Sequence, residues 1–177
     1  MAGVSRLQYS TDIRLIRVMC SGRVDLEFVL RAFSNGTDGV FIGGCRLNEC
    51  NYITHGNYDA LSNVLLFKKI MKHIGLNPER LRIEFMSSGD GIILAEVINN
   101  FCREIKKLGP LGGSEKIDEN GSKFKCEAVK KLIPYIKLVE RERLRVPSKS
   151  EEAYKEFFTR DYVNQLFNEL ILDKLTI

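Results

Sequence analysis

The period of the hydrophobic positions changes several times along the chain. Residues 13–20 are short, apolar and β-branched and run into a Ser-Gly turn, which predicts a strand. Leu26, Phe28, Val29, Leu30, Ala32 and Phe33 then recur at helical spacing, with Asp25 placed as an N-cap and Asn35-Gly36 as a stop. Residues 39–45 form a nearly unbroken apolar run, as expected of a strand covered on both faces. A polar loop carrying Cys50 leads to a helical pattern over 58–74, closed by Gly75 and Pro78. Residues 81–86 alternate as a third strand, and 92–108 return to helical period before Gly109-Pro110. Strands alternating with helices predict an α/β fold, a parallel sheet with right-handed crossovers and helices on its faces.

Beyond residue 110 the pattern shifts. Residues 111–125 are rich in Gly, Ser, Asp and Lys and read as a linker. Residues 126–177 read as a C-terminal helical extension, with Pro134 kinking its first helix or starting a second. Pro147 breaks the chain, and Ser148-x-x-Glu151 has capping-box spacing ahead of Ala153, Phe157 and Phe158. A last helix is expected over 162–175, with Leu166, Phe167, Leu170 and Ile171 on one face. The expected organisation is therefore an α/β domain over 1–110, a linker over 111–125 and a tail over 126–177.

A length of 177 residues with 44% hydrophobic and 28% charged positions suits one compact domain with an extension. The net charge of +4 comes from mixed charges and gives no ground for nucleic-acid binding. No apolar run approaches the ~18–20 residues of a membrane span, and the N-terminus lacks the basic and apolar regions of a signal peptide. A cytoplasmic location follows as the expectation, and in that reducing compartment structural disulfides are rare. The five cysteines then carry the candidate chemistry.

Cys20 and Cys45 fall at the carboxyl ends of expected neighbouring strands, where open parallel sheets bind ligands. Cys50 follows Cys45 after four residues. Three thiolates so placed can converge on a soft metal or an iron–sulfur cluster. The plainer reading is two buried cysteines and a loop thiol. Cys102 lies on the apolar stripe of Leu94, Val97, Ile98, Phe101 and Ile105 and reads as core. Cys126 opens a helix among Lys123, Lys125 and Lys130, a setting that lowers a thiol pKa, although such cysteines are usually inert. His55 sits in the cysteine loop, as a fourth ligand, a proton partner or a solvated side chain. His73 reads as a helix-dipole residue. Ser87-Ser-Gly-Asp-Gly91 lacks the glycine pattern and lysine of a phosphate loop and reads as a plain strand-to-helix turn. Residues 140–145 mix charge signs and read as a solvated face. No catalytic triad, paired-carboxylate site or nucleophile elbow is apparent, so no substrate-converting site is expected.

Longer strings carry a resemblance. Val-Met-Cys-Ser-Gly-Arg-Val-Asp (18–25), Ala-Phe-x-x-Gly-x-Asp-Gly-Val-x-x-Gly-Gly-Cys (32–45), Cys-x-Tyr (50–52) and Gly-Asn-Tyr (56–58) are similar to the iron-sulfur delta subunit of methyl-viologen-reducing (F420-non-reducing) hydrogenase. The match continues through Gly75-x-x-Pro-Glu-Arg-x-Arg, Ser87-Ser-Gly-Asp-Gly and Leu108-Gly-Pro, and covers roughly residues 2–110. The resemblance implies a [2Fe-2S] subunit that relays electrons from the large and small subunits of a [NiFe] hydrogenase to the flavin-containing subunit of heterodisulfide reductase, in methanogens and related anaerobes. Cys20, Cys45 and Cys50 match family positions and are the implied iron ligands. Arg23 and Arg46 flank them, with charges that would raise a cluster's potential.

The chain also departs from the family. Members usually begin with another strand and a Cys-x-x-Cys element, and Met1 falls just after that position. Glu49-Cys50-Asn51 stands where a His usually follows the cysteine. Such a cluster normally takes four protein ligands, and three are matched. The favoured expectation is a chain start set by a selenocysteine codon read as a stop, the alternative is a shorter paralogue that has lost the cluster, and the upstream nucleotides choose between them. The alternative function is a cofactor-free adaptor in the same kind of complex, and a third reading, a thiol enzyme, lacks a matched histidine base.

Overall fold

A computed structural model describes residues 7–52, 55–170 and 173. Two strands, β1 (Val40–Gly44) and β2 (Leu81–Phe85), pair in parallel from Val40 opposite Leu81 to Gly44 opposite Phe85. Parallel neighbours need a long crossover, supplied by α2 (Asn57–His73). α1 (Leu26–Ser34) precedes β1, and α3 (Gly91–Leu108) follows β2. Alternation along the strands sorts the two faces. Val40, Ile42, Leu81 and Ile83 join a core with Leu30 and Phe33 of α1 and Phe67 and Ile70 of α2. Phe41 points the other way, its ring 5.7 Å from that of Phe101 on α3, and Arg82 pairs with Glu104 of α3. The α/β class with helices on both sheet faces stands.

The strand expected over 13–20 does not form. Among the described residues the segment has no strand partner, and Leu15 is 71%, Ile16 87% and Met19 86% exposed. Strand propensity describes fit to a neighbour and cannot supply one. The chain before this segment is held by α3 instead: Ser10 N–H donates to Asn99 Oδ1 (2.9 Å), and Asp12 pairs with Lys106 (2.6 Å). Cys20 therefore precedes a short 3-10 turn (Ser21–Arg23) rather than ending a strand beside β1.

The extension contains α4 (Glu119–Arg143), α5 (Glu151–Thr159) and α6 (Asp161–Leu170). α4 starts seven residues before the expected 126, capped by Asp118, whose Oδ1 accepts the Gly121 N–H (2.9 Å). Pro134 neither ends nor divides it. Cys126, Val129, Ile133, Ile136 and Val139 form one buried stripe, and α4 packs along α1, so tertiary burial carries the helix past the missing N–H. α5 is capped by Ser150, two residues beyond the expected Ser148, through the Ala153 N–H (3.1 Å). α5 packs on α2, and α6 on α5. Hydrophobic packing is continuous across 111–125: the core that holds Leu30, Phe67 and Leu81 also holds Ile136, Phe158 and Val163. The expected continuation of the last helix over 171–175 falls outside the described residues, apart from Asp173.

Arg80 closes the amino end of the sheet. Its side chain is fully buried. Nε and Nη2 donate to the two carboxylate oxygens of Glu115 (2.6 and 3.1 Å), Nη1 to the carbonyls of Asp38 (3.0 Å) and Gly109 (2.9 Å), and Nη2 also to that of Pro110 (3.0 Å). Burial alone would raise Glu115, but Arg80 and the N–H of Asn77 hold it down at about 2. Elsewhere, Glu140 of α4 lies against α2 and accepts from Ser62 Oγ (2.8 Å). Burial, with Asp59 and Asp25 nearby, pushes its carboxyl up to about 7, against the opposing pull of Ser62 and Lys137.

These two carboxylates predict opposite pH responses. The Glu115 contribution is present above about 4.5 and lost as pH falls through about 2. Glu115→Gln, which leaves the Arg80 charge without its partner, should lower stability at pH 7 by about 3–5 kcal/mol. In denaturant titrations the gap to wild type should narrow toward pH 2, and a constant gap would contradict the assignment. Glu140 binds its proton more tightly when folded, so stability declines as pH rises from about 4.5 through about 7. Glu140→Gln should match wild type near pH 4 and exceed it at pH 8. Equal denaturation midpoints at pH 8 would contradict this.

Candidate functional site

Cys45 directly follows β1. Its thiol interacts with that of Cys50, and the Cys50 thiol interacts also with that of Cys20. The three cysteines singled out from sequence thus meet at the carboxyl pole of the sheet, although Cys20 arrives by a turn and not by a strand. Among the described residues, no group of three or more His, Cys, Asp or Glu side chains is arranged to hold a metal ion, and all five cysteines are free thiols.

Close backbone contacts bring the three segments together. A Cβ on Gly22 would lie 2.5 Å from the Gly56 carbonyl oxygen, so the Cys20 turn rests on the start of α2. Asn57, only 1% exposed, sends its side-chain amide to the carbonyls of Cys45 (2.9 Å) and Arg46 (2.7 Å) and toward Cys45 Sγ (3.7 Å). Arg46 pairs with Asp90 (2.7 Å), which also accepts the Ser87 N–H (2.7 Å). That contact fills the Ser87–Gly91 turn with its own carboxylate, as a plain turn requires. It also pairs the Arg46 charge expected to act on the thiols, while Arg23 stays exposed.

The thiols differ electrostatically. Cys45 is exposed as a residue, yet partial desolvation of its sulfur raises it, and the neighbouring Cys50 and Cys20 raise it further. Burial also opposes ionisation of Cys50, but the backbone N–H groups of Asn57 and Tyr52 and the thiols of Cys45 and Cys20 outweigh it and lower Cys50. Ser21, beside Cys20, buries a hydroxyl with no partner among the described residues. Thiol donors and N–H groups directed at sulfur are donor types that suit iron–sulfur chemistry, with three protein thiols rather than four and, among the described residues, no arrangement already shaped to hold a metal ion.

The other sequence candidates lie apart in role. His55 is 86% exposed and pairs through Nδ1 with Asp59 (3.1 Å), the solvated alternative. Cys102 is half-buried on α3. Cys126 is fully buried in the main core, where burial pushes it up to about 11, opposite to the lowering expected of its basic surroundings. Asn57 was not foreseen from sequence. Its signal was a Gly-Asn pair opening a helix six residues after the loop cysteine.

Fold and site together define a parallel α/β domain with a thiol pole and a helical extension. Residues 1–109 match the family described as methyl-viologen-reducing hydrogenase, delta subunit, and the chain belongs to that family. It is 46% identical over 110 residues to the F420-non-reducing hydrogenase iron-sulfur (D) subunit of Archaeoglobus profundus, covering 62% of this chain and 80% of that protein. It is 42% identical over 121 residues to the vhc iron-sulfur (D) subunit of Methanococcus voltae, covering 67% and 83%. It is also 47% identical over 116 residues to the (A) subunit of a ferredoxin/F420H2-dependent CoB-CoM heterodisulfide reductase of Methanosarcina acetivorans, covering 66% of this chain but spanning only 14% of that longer protein. These relatives are named as subunits of hydrogenase and of heterodisulfide reductase. The family match ends before α4.

The thiol pole predicts an order of reactivity. Under anaerobic reducing conditions, pH-dependent alkylation mapped by mass spectrometry should modify Cys50 at lower pH than Cys45, and Cys126 only on unfolding. Cys45 reacting first across the range would contradict the site's electrostatics.

Proposed function

We propose that the protein is an electron-transfer iron–sulfur subunit that relays electrons from a [NiFe] hydrogenase to the flavin-containing subunit of heterodisulfide reductase, in a cytoplasmic complex of an anaerobe. The observation that carries this reading is the convergence of Cys20, Cys45 and Cys50 at one pole of the sheet. No helix among the described residues is long and apolar enough to cross a membrane, which accords with that location. The three thiols would hold a [2Fe-2S] cluster, with a fourth ligand from outside this trio. Such a group, when bound, supplies one-electron chemistry. The chain's own part is to fix the sulfurs and to donate N–H groups from Asn57 and Tyr52 toward Cys50, with the Arg23 backbone N–H donating to the Cys20 carbonyl (3.0 Å).

The test is iron and acid-labile sulfide per chain after anaerobic purification with the partner subunits. The expected result is about two irons in wild type and Cys102→Ala, with loss or distortion of the EPR signal in Cys45→Ser and Cys50→Ser. Unchanged iron and spectra in both serine variants would remove these residues as ligands. No iron in the wild-type complex would favour the cofactor-free adaptor.

A further inference from the structure

The three thiol-bearing segments converge on two consecutive residues that carry no thiol. Asn57 is almost wholly buried, and a buried carboxamide is costly unless its N–H groups are used. Here they are spent on the Cys45–Arg46 turn, at 2.9 and 2.7 Å to the two carbonyls, with Cys45 Sγ at 3.7 Å. The backbone N–H of the same residue faces the Cys50 sulfur. Gly56, one residue earlier, is bare where that sulfur sits. A Cβ there would lie 2.5 Å from Cys50 Sγ and 2.4 Å from the Tyr52 carbonyl oxygen, closer than side-chain carbons approach. The Cys20 turn meets the same spot through Gly22.

The geometry points to Gly56 and Asn57 as the positioning residues of the thiol site, the Asn57 carboxamide clamping the Cys45 turn while the missing side chain of Gly56 seats the Cys50 sulfur. The two arms act separately. Asn57→Ala removes the carboxamide but keeps the backbone N–H on Cys50. Gly56→Ala leaves the carboxamide and obstructs Cys50. N–H groups directed at sulfur also stabilise added negative charge, so the clamp raises the potential of any cluster held there. That second consequence rests on the iron–sulfur reading, whereas the spacing of the thiols does not.

The experiment uses the full chain, reduced and metal-free, with dibromobimane as the bifunctional thiol probe and the Cys45–Cys50 crosslink quantified by mass spectrometry. Both variants should crosslink about tenfold more slowly than wild type, with far-UV circular dichroism unchanged. Rates within twofold of wild type in folded variants would overturn the proposal. Should Asn57→Ala fail to fold, Asn57→Ser, short and uncharged, decides that arm by the same criterion, and a Gly56→Ala chain that fails to fold overturns a role for Gly56 confined to seating the Cys50 sulfur. After anaerobic iron and sulfide reconstitution, Asn57→Ala should carry as much iron as wild type at a potential lower by about 59 mV, a tenfold shift for one electron. An unchanged potential would overturn the tuning role. Wild type that holds no iron even when purified anaerobically with its partner subunits would refute the cluster reading, and the crosslinking rates would still decide whether Gly56 and Asn57 position the thiols.

Discussion

A fully buried guanidinium has to have every donor answered, and Arg80 has its donors answered by segments distant in sequence. Asp38 lies just before β1, Arg80 just before β2, Gly109 and Pro110 just after α3, and Glu115 just before α4. One side chain thus ties together the starts of both strands, the end of the third helix and the beginning of the extension. Unpairing it would leave a charge stranded in the interior, so the loop over 108–117 has little freedom to lift away. The extension is held by this anchor at one end and by the stripe on α4 along its length.

With the amino end of the sheet fastened by Arg80, the carboxyl end is left for chemistry, where parallel sheets leave room between strand ends and helix starts. The thiol pole is assembled there by backbone proximity more than by side-chain bulk: Gly22 lies on Gly56, and Cys50 on Gly56. The Arg46–Asp90 pair then joins the loop after β1 to the turn after β2. The result is a site whose sulfurs differ in their readiness to ionise, although they are near neighbours.

Local signals made α1, α2, α3, β1 and β2 legible. Asp25 caps α1 as its position suggested, accepting the Glu27 N–H, and the apolar period alone located α2. What failed was whatever depended on distant partners. Residues 13–20 had strand composition but, among the described residues, no strand to pair with. The start of α4 was hidden by a Gly/Ser-rich stretch, although Asp118 stood there as a cap. Nothing local announces that Arg80 and Glu115, 35 residues apart, will share a buried fork. Within the candidate site, Cys45 and Cys50 were picked out by spacing, whereas Cys20 was picked out as the end of a strand that does not form. Asn57 was not, because a buried amide is recognised only by the carbonyls it answers.

Whether Cys20, Cys45 and Cys50 together surround iron decides the functional reading. Iron K-edge X-ray absorption on the anaerobically isolated complex addresses this at the metal itself, comparing wild type with Cys50→Ser. A sulfur shell with an iron neighbour is expected in wild type, and in the variant a lighter-atom contribution should replace part of that shell. An iron environment of nitrogen and oxygen alone in wild type, or an identical sulfur shell in the variant, would refute it.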